Sequence, residues 1–309
     1  MNQPRRKSKP RSAVRFSARD FRLLRAQARR DPEKFAATVP VVTLDDWVSA
    51  KITSGDPYSL RWGKNTPPKI AFQLEYDTEV ALYIACDPDV LNVYAQALRR
   101  CWSSFGIRRG DRVVIFDYGT SPVSYLASCS FTPYLARGAA DILGCLPICN
   151  DGAANLSQRA VEIVKFVCPR VLFLRTDCLH PFATEFNKGS TPLSSYVGAL
   201  VAVENEGVLA AADRDAYQKN LGVPIYRLLR ADAALFLAPE CARCGLFHIW
   251  PDLYHVELSE QGKHGREGQL LITNWFAEHC QAVRYLSQVQ AVLERPGCPA
   301  KATDPRIGI

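Results

Sequence analysis

Short apolar runs alternate with longer helical segments along the chain from residue 111 onward. The runs "DRVVIFDYG", "RVLFLRT" and "YVGALVAV" are typical of buried strands. Segments with helical character separate them, such as the one that begins near Ser157 and ends before Pro169. Short strands joined through helices form right-handed crossovers on a parallel sheet. The pattern therefore predicts a doubly wound, largely parallel α/β body.

Three further segments complete this prediction. Residues 121–140 are mostly apolar and are expected to form one helix after the first strand. Residues 72–83, "FQLEYDTEVALY", are interpreted as two strands joined by a turn with solvated acids. After residue 240 the helices give way to strands and turns, which predicts a small antiparallel β element attached to the main sheet near the C-terminus.

Nearly all of the positive charge lies in an N-terminal arm. Residues 1–30 hold nine Arg, two Lys and one acidic residue, a net charge of +10, so the rest of the chain contributes −3 to the total of +7. The Pro-rich start of this arm is expected to be disordered. A helix is expected to begin after Ser17, to end at Asp31 and to be anchored by Phe21 and Leu24.

Three interpretations of the arm remain open. It is a solvated tail, a basic handle for an acidic partner or nucleic acid, or an organelle transit segment. The sequence has no zinc-finger spacing, helix-turn-helix or RNA-binding signature, which argues against nucleic acid. The chain is thus divided into a basic, partly disordered arm with a short helix at 1–31, one α/β domain at 32–293 and an irregular tail at 294–309.

Composition narrows the class of protein. The chain is 48% hydrophobic and 22% charged, and it has no apolar run of about 18 residues that would suit a membrane span. The N-terminus lacks the apolar core of a signal peptide, and the eleven cysteines are scattered through apolar segments. We therefore expect a cytoplasmic protein in a reducing environment, without a disulfide framework.

Three potential metal ligands stand close together after residue 240. Cys241, Cys244 and His248 fall within eight residues. Zinc prefers four such ligands in a tetrahedron, and one Cys-x-x-Cys pair is only half of a typical site. The candidates for the fourth ligand are His255, His264, His279, Cys280 and a distant cysteine. The spacing predicts a structural zinc ion, with packing alone and a redox pair as the alternatives.

Six segments follow one another in an order that a known family shares. They are "PEKFAATVPVVTLDDWVSAK", "LRRCWSSFGIRRGDRVVIFDYG", "ILGCLPICNDG", "VEIVKFVCPRVLFLRT", "ECARCGLFHIW" and "GREGQLLITNW" with the later "AVRYL". Over roughly residues 20–293 the chain resembles the phenylacetate–CoA ligase branch of the adenylate-forming (acyl-activating) ligases. The resemblance implies the fold of that family's large domain, with a small antiparallel β element. We expect the family's small mobile domain, which carries its catalytic lysine, to be absent.

The resemblance also identifies the segments that bind ATP and Mg²⁺ in that family. At the phosphate loop, neutral hydroxyl and glycine positions are replaced by the acids Glu75, Asp77 and Glu79. Arg230 stands where the family has a Mg²⁺-binding acid, and a guanidinium does not ligate a hard cation. Val289 replaces the aspartate that binds the ribose, and only Glu206 remains of the adenine segment. We therefore doubt ATP and Mg²⁺ binding and assign no catalytic residue.

An acid-binding pocket is the part of the family's site that this chain is expected to keep. In the family an aromatic segment after the "GDRV" strand lines the pocket, and here "DYGTSPVSY" occupies that place. Tyr118 with Tyr125 or Phe131 can stack on a flat aromatic or acyl acid. The alternative is that these rings belong to the hydrophobic core.

Three functions of different classes are consistent with the sequence. The first is a non-catalytic acyl-CoA-ligase-like protein that acts as a subunit or regulator of a larger complex, with a protein partner in a hetero-complex or homo-oligomer. The second is an AMP-forming aryl or acyl acid ligase whose missing domain comes from a partner. The third is a binder of nucleic acid or an acidic surface through the arm. Copurification from the native host separates them best.

Overall fold

The computed structural model of the chain describes residues 15–76, 78–259, 267–294, 298 and 305–309. Its N-terminal elements are α1 (Ala18–Arg30), α2 (Pro32–Thr38), α3 (Leu44–Ser54), β1 (Ile70–Gln73), β2 (Tyr83–Cys86) and α4 (Pro88–Ser104). The central elements are β3 (Arg112–Phe116), α5 (Pro122–Tyr125), α6 (Ala139–Leu143), β4 (Leu146–Asn150), α7 (Ser157–Val167), β5 (Val171–Arg175), α8 (Thr176–Phe186), β6 (Ala199–Asn205), α9 (Ala211–Leu221), β7 (Ile225–Ala231) and β8 (Phe236–Pro239). The C-terminal elements are β9 (Phe247–His248), β10 (Tyr254–Leu258), β11 (Glu267–Asn274), β12 (Tyr285–Glu294) and β13 (Arg306–Gly308).

A central six-stranded sheet has the strand order β4-β3-β5-β6-β7-β8. Its strands are parallel except β8, which runs antiparallel to β7. Because side chains alternate along a strand, Val113 and Ile115 enter the hydrophobic cluster that contains α4, whereas Val114 and Phe116 enter the one that contains α7 and α8. Helices therefore cover both faces of the sheet, which confirms the predicted doubly wound α/β body.

A second, antiparallel sheet lies near the C-terminus and has the strand order β10-β11-β12-β13-β9. Its buried side chains, among them Leu270 and Ile272, share one hydrophobic cluster with α4 and one face of the central sheet. An isolated bridge between Glu240 and Phe247 connects the end of β8 to β9. The predicted antiparallel element is confirmed, and it forms a sheet of its own.

The end of the chain differs from the irregular tail expected at 294–309. Arg306–Gly308 form β13, which pairs with β12 on one side and with β9 on the other. Without this strand the facing edges of β12 and β9 would lack partners for their backbone N–H and C=O groups. The last residues therefore complete the antiparallel sheet.

The prediction of a single helix at 121–140 is wrong. The segment forms the short helix α5, a series of turns and the start of α6. The hydroxyl of Thr132 donates to the carbonyl of Tyr125 at 2.7 Å, and the backbone N–H of Cys129 donates to Asp141 at 2.7 Å. These side chains take the backbone groups that a continuous helix would pair with each other, so the helix ends after one turn.

The helix of the arm packs on the antiparallel sheet. Ser17 caps α1 by accepting a hydrogen bond from the N–H of Asp20, and the helix ends at Arg30, as predicted. The ring of Phe21 meets that of Trp275 edge-on at 5.6 Å, and Leu24 packs beside them. Residues 1–14, where disorder is expected, lie outside the described residues. None of the helices in the described part of the chain has the length and apolar character that a membrane crossing requires.

Candidate functional site

The carboxyl ends of the parallel strands meet at one edge of the central sheet. β4 and β5, which follow β3 in the chain, lie on opposite sides of it, so the strand order reverses at β3. In open α/β sheets, ligands bind outside the carboxyl ends of the strands at such a reversal. The polar residues at these ends are Asp117, Arg175, Glu206 and Arg230. This edge is the candidate ligand-binding site.

Arg230 lies at the centre of this edge and is almost fully buried, with 2% of its surface exposed. Its Nη1 is 2.8 Å from Oδ2 of Asp117 and also donates to the hydroxyl of Ser121. Its Nη2 is 3.4 Å from Oε2 of Glu75, and its Nε is 3.6 Å from Oδ1 of Asp232. Although burial lowers the pKa of Arg230, the surrounding carboxylates outweigh burial and raise it above its usual value. The guanidinium is therefore permanently charged and committed to three acids of its own chain.

Two of these acids hold protons more tightly than free carboxyl groups do. Burial raises the pKa of Glu75 to about 7, against the opposing effect of the Arg230 charge. Burial likewise raises the pKa of Asp232 to about 6. Arg230 therefore neutralises only part of the potential negative charge around it. The neighbouring Arg175 is also paired, with Asp177 at 2.6 Å and Glu75 at 3.8 Å, so neither guanidinium is free of carboxylate partners.

The turn at which the resemblance places the phosphate loop lies against this cluster. β1 and β2 pair in an antiparallel register, as a strand–turn–strand requires, but they lie mostly outside the predicted segment 72–83, most of which is the loop between them. The expectation of solvated acids is wrong for Glu75, which is half-buried and faces Arg230 and, at 3.8 Å, Arg175. Glu79 is exposed as expected, and Asp77 lies outside the described residues. We call residues 74–82, between β1 and β2, the edge loop.

Glu206 forms a second attachment point for the edge loop. It accepts hydrogen bonds from the hydroxyl of Tyr76 at 2.5 Å, from the hydroxyl of Tyr285 at 2.7 Å and from the backbone N–H of Gln288 at 2.8 Å. Burial raises the pKa of Glu206, while these hydrogen bonds oppose the rise. The carboxylate that the resemblance assigns to the adenine segment thus has both oxygens occupied by residues of this chain.

The position assigned to the ribose-binding aspartate is part of the core. Val289 lies in β12 and is 3% exposed. Nearby, the ring of Tyr285 stacks on the ring of Trp47 with centroids 4.6 Å apart. The guanidinium of Arg61 lies over the ring of Trp47, 3.9 Å from its centroid. Val289 supplies no hydrogen-bond acceptor, as expected from its side chain.

The three aromatic residues of the predicted acid pocket have different surroundings. Tyr118 is 38% exposed, and the guanidinium of Arg175 lies 3.6 Å from its ring centroid. Tyr125 is buried and stacks on Phe72 with centroids 3.8 Å apart. Phe131 is 44% exposed. Among the described residues no ring contact joins these three to one another, so they do not form one ready stack.

Sequence reasoning identified Arg230 and missed most of its partners. Asp117, Ser121 and Asp232 were not singled out, and neither was Tyr76. The position of Asp117 was the available signal, because an acid directly after a buried parallel strand lies at the ligand-binding edge.

The candidate metal centre contains a fourth ligand that lies far along the chain. The ligand atoms of Cys241, Cys244, His248 and Cys298 all lie within 4.8 Å of one another. The sulfurs of Cys241 and Cys298 are 3.8 Å apart, and the sulfur of Cys244 is 3.5 Å from Nε2 of His248. With Zn–S near 2.3 Å and Zn–N near 2.0–2.1 Å, a tetrahedral zinc would separate sulfurs by about 3.8 Å and sulfur from nitrogen by about 3.6 Å. The cluster therefore fits a metal ion of this kind.

Local structure explains how these ligands converge. The N–H of Gly245 donates to the carbonyl of Cys241 at 2.8 Å, and Gly245 has φ of 68°, so a tight turn brings the two cysteines of the Cys-x-x-Cys pair together. Burial raises the pKa of the Cys244 thiol, and hydrogen bonding to Cys298 and Cys241 adds to the rise. A bound cation would instead favour the deprotonated thiolate, because metal ligation requires thiolates.

The fourth ligand is the distant cysteine among the predicted alternatives. His255 lies elsewhere, with its ring meeting Phe35 edge-on at 5.3 Å, and Cys280 is buried in the main hydrophobic cluster. His279 does not belong to the cluster of ligand atoms, and His264 lies outside the described residues.

The candidate metal centre and the Arg230 cluster lie at opposite ends of the parallel strands of the central sheet. β8 is antiparallel to β7 and pairs Pro239 with Leu228, so the chain after Pro239 emerges at the amino end of β7. There the buried carboxylate of Glu240 accepts from Arg227 at 2.8 Å and from Arg214 at 2.6 Å. A tetrahedral ion held by this cluster would have a protein ligand at each of its four positions, which is the arrangement of structural rather than catalytic zinc sites.

Comparison with known proteins bears on the fold. No family model matches the sequence, and a comparison with curated proteins yields no match. Among solved structures, the chain is similar to an open conformation of 2-hydroxyisobutyryl-CoA ligase in complex with 2-HIB-AMP and CoA, with a TM-score of 0.73 and 16% identity over 93% of this chain and 68% of that chain. The same ligase in the thioesterification state gives a TM-score of 0.73 and 17% identity over 93% and 62%. VinN in complex with L-aspartate gives a TM-score of 0.51 and 12% identity over 86% of this chain and 65% of that chain.

These likenesses concern architecture, since the identities are low. The chain spans 61% to 68% of the 2-hydroxyisobutyryl-CoA ligase chains that it resembles. Over 93% of its length the chain, with its parallel-rich central sheet and separate antiparallel sheet, matches the structure of 2-hydroxyisobutyryl-CoA ligase. The chain therefore shares the fold of the matched part of that ligase.

Proposed function

We propose that this chain is a ligase-fold protein that does not activate acids by itself and acts as a subunit or regulator of a larger complex. The observation that carries the proposal is the buried contact between Arg230 and Asp117, at the sheet edge where ligands of such folds bind. In the phenylacetate–CoA ligase branch, to which we assign the chain, an acid that holds Mg²⁺ would stand in the place of Arg230.

Charge at this edge disfavours a nucleotide triphosphate. Asp117, Asp232 and Glu75 surround the guanidinium of Arg230, and the neighbouring Arg175 is paired with Asp177 and Glu75. A carboxylate about 4 Å from a phosphate charge costs about 4 kcal/mol at a partly buried site. Since Arg230 is already paired, it offers little compensation for this repulsion.

The position of the edge loop adds a steric and energetic obstacle. Its Glu75 contacts Arg230, and its Tyr76 donates to Glu206. Hydrogen bonds to charged groups contribute about 1.5–3 kcal/mol each, so a ligand that displaced the loop would first have to offset their loss. The loop therefore favours a closed edge in the absence of a partner.

We further propose that the Cys₃His cluster holds one structural zinc ion. Cys241, Cys244, His248 and Cys298 would be its ligands, and the ion would supply no reactive position because all four are filled. Its effect would be to join the turn after β8 to the segment before β13 and so to stabilise the antiparallel sheet.

A cytoplasmic location and a macromolecular partner belong to the same proposal. None of the eleven cysteines, all of which lie within the described residues, forms a disulfide. Buried thiols of this kind persist in a reducing compartment. A protein partner would give a ligase fold without its own adenylation activity a function in assembly or regulation.

The alternative is an AMP-forming aryl or acyl acid ligase completed by a partner. It is favoured by the similarity to a ligase structure that contains 2-HIB-AMP and CoA, and by the exposed ring of Tyr118 at the candidate edge. A small acid would then stack on Tyr118, with Tyr125 and Phe131 forming the rest of the pocket after the local packing rearranges.

A titration with ATP–Mg²⁺ separates the two functions. We expect calorimetry to detect no binding in the micromolar range, and no pyrophosphate exchange with phenylacetate or benzoate. The same assays are then repeated on the complex purified from the native host. Tight ATP binding by the isolated chain would overturn the non-catalytic proposal, and exchange activity only in the complex would support the alternative.

A further inference from the structure

The side of α1 that faces away from the body carries a regular row of exposed residues. Phe21 and Ala28, on the inner side, are buried. The exposed residues opposite them occur three or four positions apart, which places them on one helix face over about 16 Å. We call them the arginine stripe: Arg19, Arg22, Leu23, Ala26, Arg29 and Arg30.

The positive charge of the stripe is not neutralised within the described residues. Its arginines make no ion pair there, and Arg22 donates from Nε only to the backbone carbonyl of Ala18, at 3.1 Å. The only acid in α1, Asp20, accepts from the hydroxyl of Ser17 at 2.7 Å at the start of the helix. Arginine presents a planar fork that pairs with two oxygens of one carboxylate. The stripe is therefore suited to an anionic partner.

The helix that carries the stripe is held firmly in place. The side-chain amide of Gln281 accepts from the N–H of Phe16 and donates to its carbonyl, each at 2.9 Å. Nη2 of Arg25 donates to the carbonyl of Asp252 at 2.6 Å, and Phe21 packs against Trp275. A partner that binds the stripe thus meets an ordered surface and loses little affinity to ordering it.

We propose that the arginine stripe docks an acidic, amphipathic helix of a partner protein. This inference deepens the proposed role as a complex subunit and rests on it for the expectation of a partner. Leu23 is 58% exposed and lies with Ala26 midway along the length of the stripe, with two arginines before them and two after them. An apolar centre with a charged rim is the usual anatomy of a protein interface. A helix with an apolar seam and flanking carboxylates complements both features.

Nucleic acid and membranes match the exposed side chains of α1 less well than a protein helix does. Phosphate backbones are bound by cations, so an exposed leucine at the centre would contribute nothing to affinity. An interfacial membrane helix inserts a continuous apolar face, whereas two of the apolar residues of α1, Phe21 and Ala28, are already buried against the body and only Leu23 and Ala26 are exposed. The combination of Leu23 with four arginines therefore favours a protein helix.

The test uses the full chain and a fluorescent synthetic peptide. The peptide is a helix of about 20 residues, roughly 30 Å long, with a leucine seam flanked by glutamates. Fluorescence anisotropy should show binding that weakens about tenfold or more in Arg22→Glu/Arg29→Glu, since two attractive charge pairs become repulsive. Leu23→Ala should weaken binding about fivefold at unchanged charge.

The matched control is Arg108→Glu/Arg159→Glu, which changes the net charge equally at exposed positions outside α1. It should bind the peptide like the unmodified chain, and thermal unfolding should confirm that every variant folds. Equal weakening by this control, or no peptide binding at all, would overturn the proposal. So would an unchanged affinity of Leu23→Ala together with displacement of the peptide by an RNA duplex or by vesicles with phosphatidylserine. ATP binding, measured separately, would contradict the non-catalytic function and leave this result standing.

Discussion

The hydroxyl of Tyr76 donates a 2.5 Å hydrogen bond to the carboxylate of Glu206, 130 residues later in the chain. Tyr76 belongs to the edge loop between β1 and β2, and Glu206 follows β6. The contact therefore fastens the edge loop to the edge of the central sheet at which the candidate ligand-binding site lies.

Removal of this hydroxyl should loosen the edge loop. Tyr76→Phe leaves Glu206 with one donor fewer in a buried setting, so we expect a loss of about 1–3 kcal/mol in the free energy of unfolding. Urea denaturation measures the loss, and hydrogen exchange should become faster in the edge loop. Tyr134→Phe, at a tyrosine that is 43% exposed, is the control and should change neither quantity. Unaltered exchange in Tyr76→Phe would show that the loop is held by other contacts.

Removal of the Arg230 guanidinium should lower the free energy of unfolding by more than removal of the Tyr76 hydroxyl does. Arg230→Met removes the cation that Asp117, Asp232 and Glu75 share, and Glu75 keeps only its 3.8 Å contact with Arg175. Breaking a buried ion pair from one side costs about 3–5 kcal/mol. The loss should shrink at acidic pH, because protonation removes the repulsion among the carboxylates. Denaturation at pH 5 and pH 7.5, with Arg159→Met as the exposed control, tests both the size and the pH dependence.

Glu75 should make the unmodified protein less stable as the pH rises. Its pKa of about 7 in the folded state exceeds the ordinary value of 4.5, so the folded state binds the proton more tightly between these pH values. Stability from this group is complete below about pH 4.5 and is lost as the pH rises toward 7. Glu75→Gln removes the titrating group and should flatten this part of the curve of unfolding free energy against pH. Identical slopes for the two proteins would contradict the assignment.

Loss of one metal ligand should remove zinc and destabilise the C-terminal sheet. Elemental analysis should find one zinc ion per chain in the untagged protein and almost none in the variants Cys298→Ser and Cys244→Ser. Chelation should cost on the order of 4 kcal/mol of stability or more, because metal binding is coupled to folding. Cys129→Ser, an exposed cysteine outside the cluster, should keep the metal, and Cys101→Ser should cause only a packing defect. A zinc content well below one in the unmodified protein would leave packing as the role of these residues.

The arm should divide into a dispensable part and a structural part. Deletion of residues 1–14 should leave the melting temperature nearly unchanged and weaken partner binding in a salt-sensitive way. Deletion of residues 1–22 should lower the melting temperature by several degrees, because this deletion removes the contacts of Phe21 with Trp275 and of Phe16 with Gln281. Thermal unfolding of the two truncated chains makes the comparison. Equal melting temperatures would show that the packing of α1 contributes little.

The sequence by itself determined the architecture of this protein. Strand and helix periodicities differ, so runs such as Val113–Phe116 could be assigned to a buried parallel sheet before any contact was known. Local chemistry was equally readable where it depends on neighbours in the chain, as in the cap of α1 by Ser17 and the pairing of Cys241 with Cys244. The sequence also showed an arginine at position 230, where the resemblance places an acid.

Only the tertiary structure decided which distant side chains meet. Cys298 lies 57 residues from Cys241, and the strands of the antiparallel sheet between them bring the two sulfurs to 3.8 Å. Arg230 finds Asp117 at a separation of 113 residues because the carboxyl ends of parallel strands converge at one edge. The helix expected at 121–140 failed for the same reason, since Asp141 captures a backbone N–H that local propensity cannot foresee. Periodicity reports which face of an element is apolar, whereas the partner of a polar group depends on how the sheets are assembled.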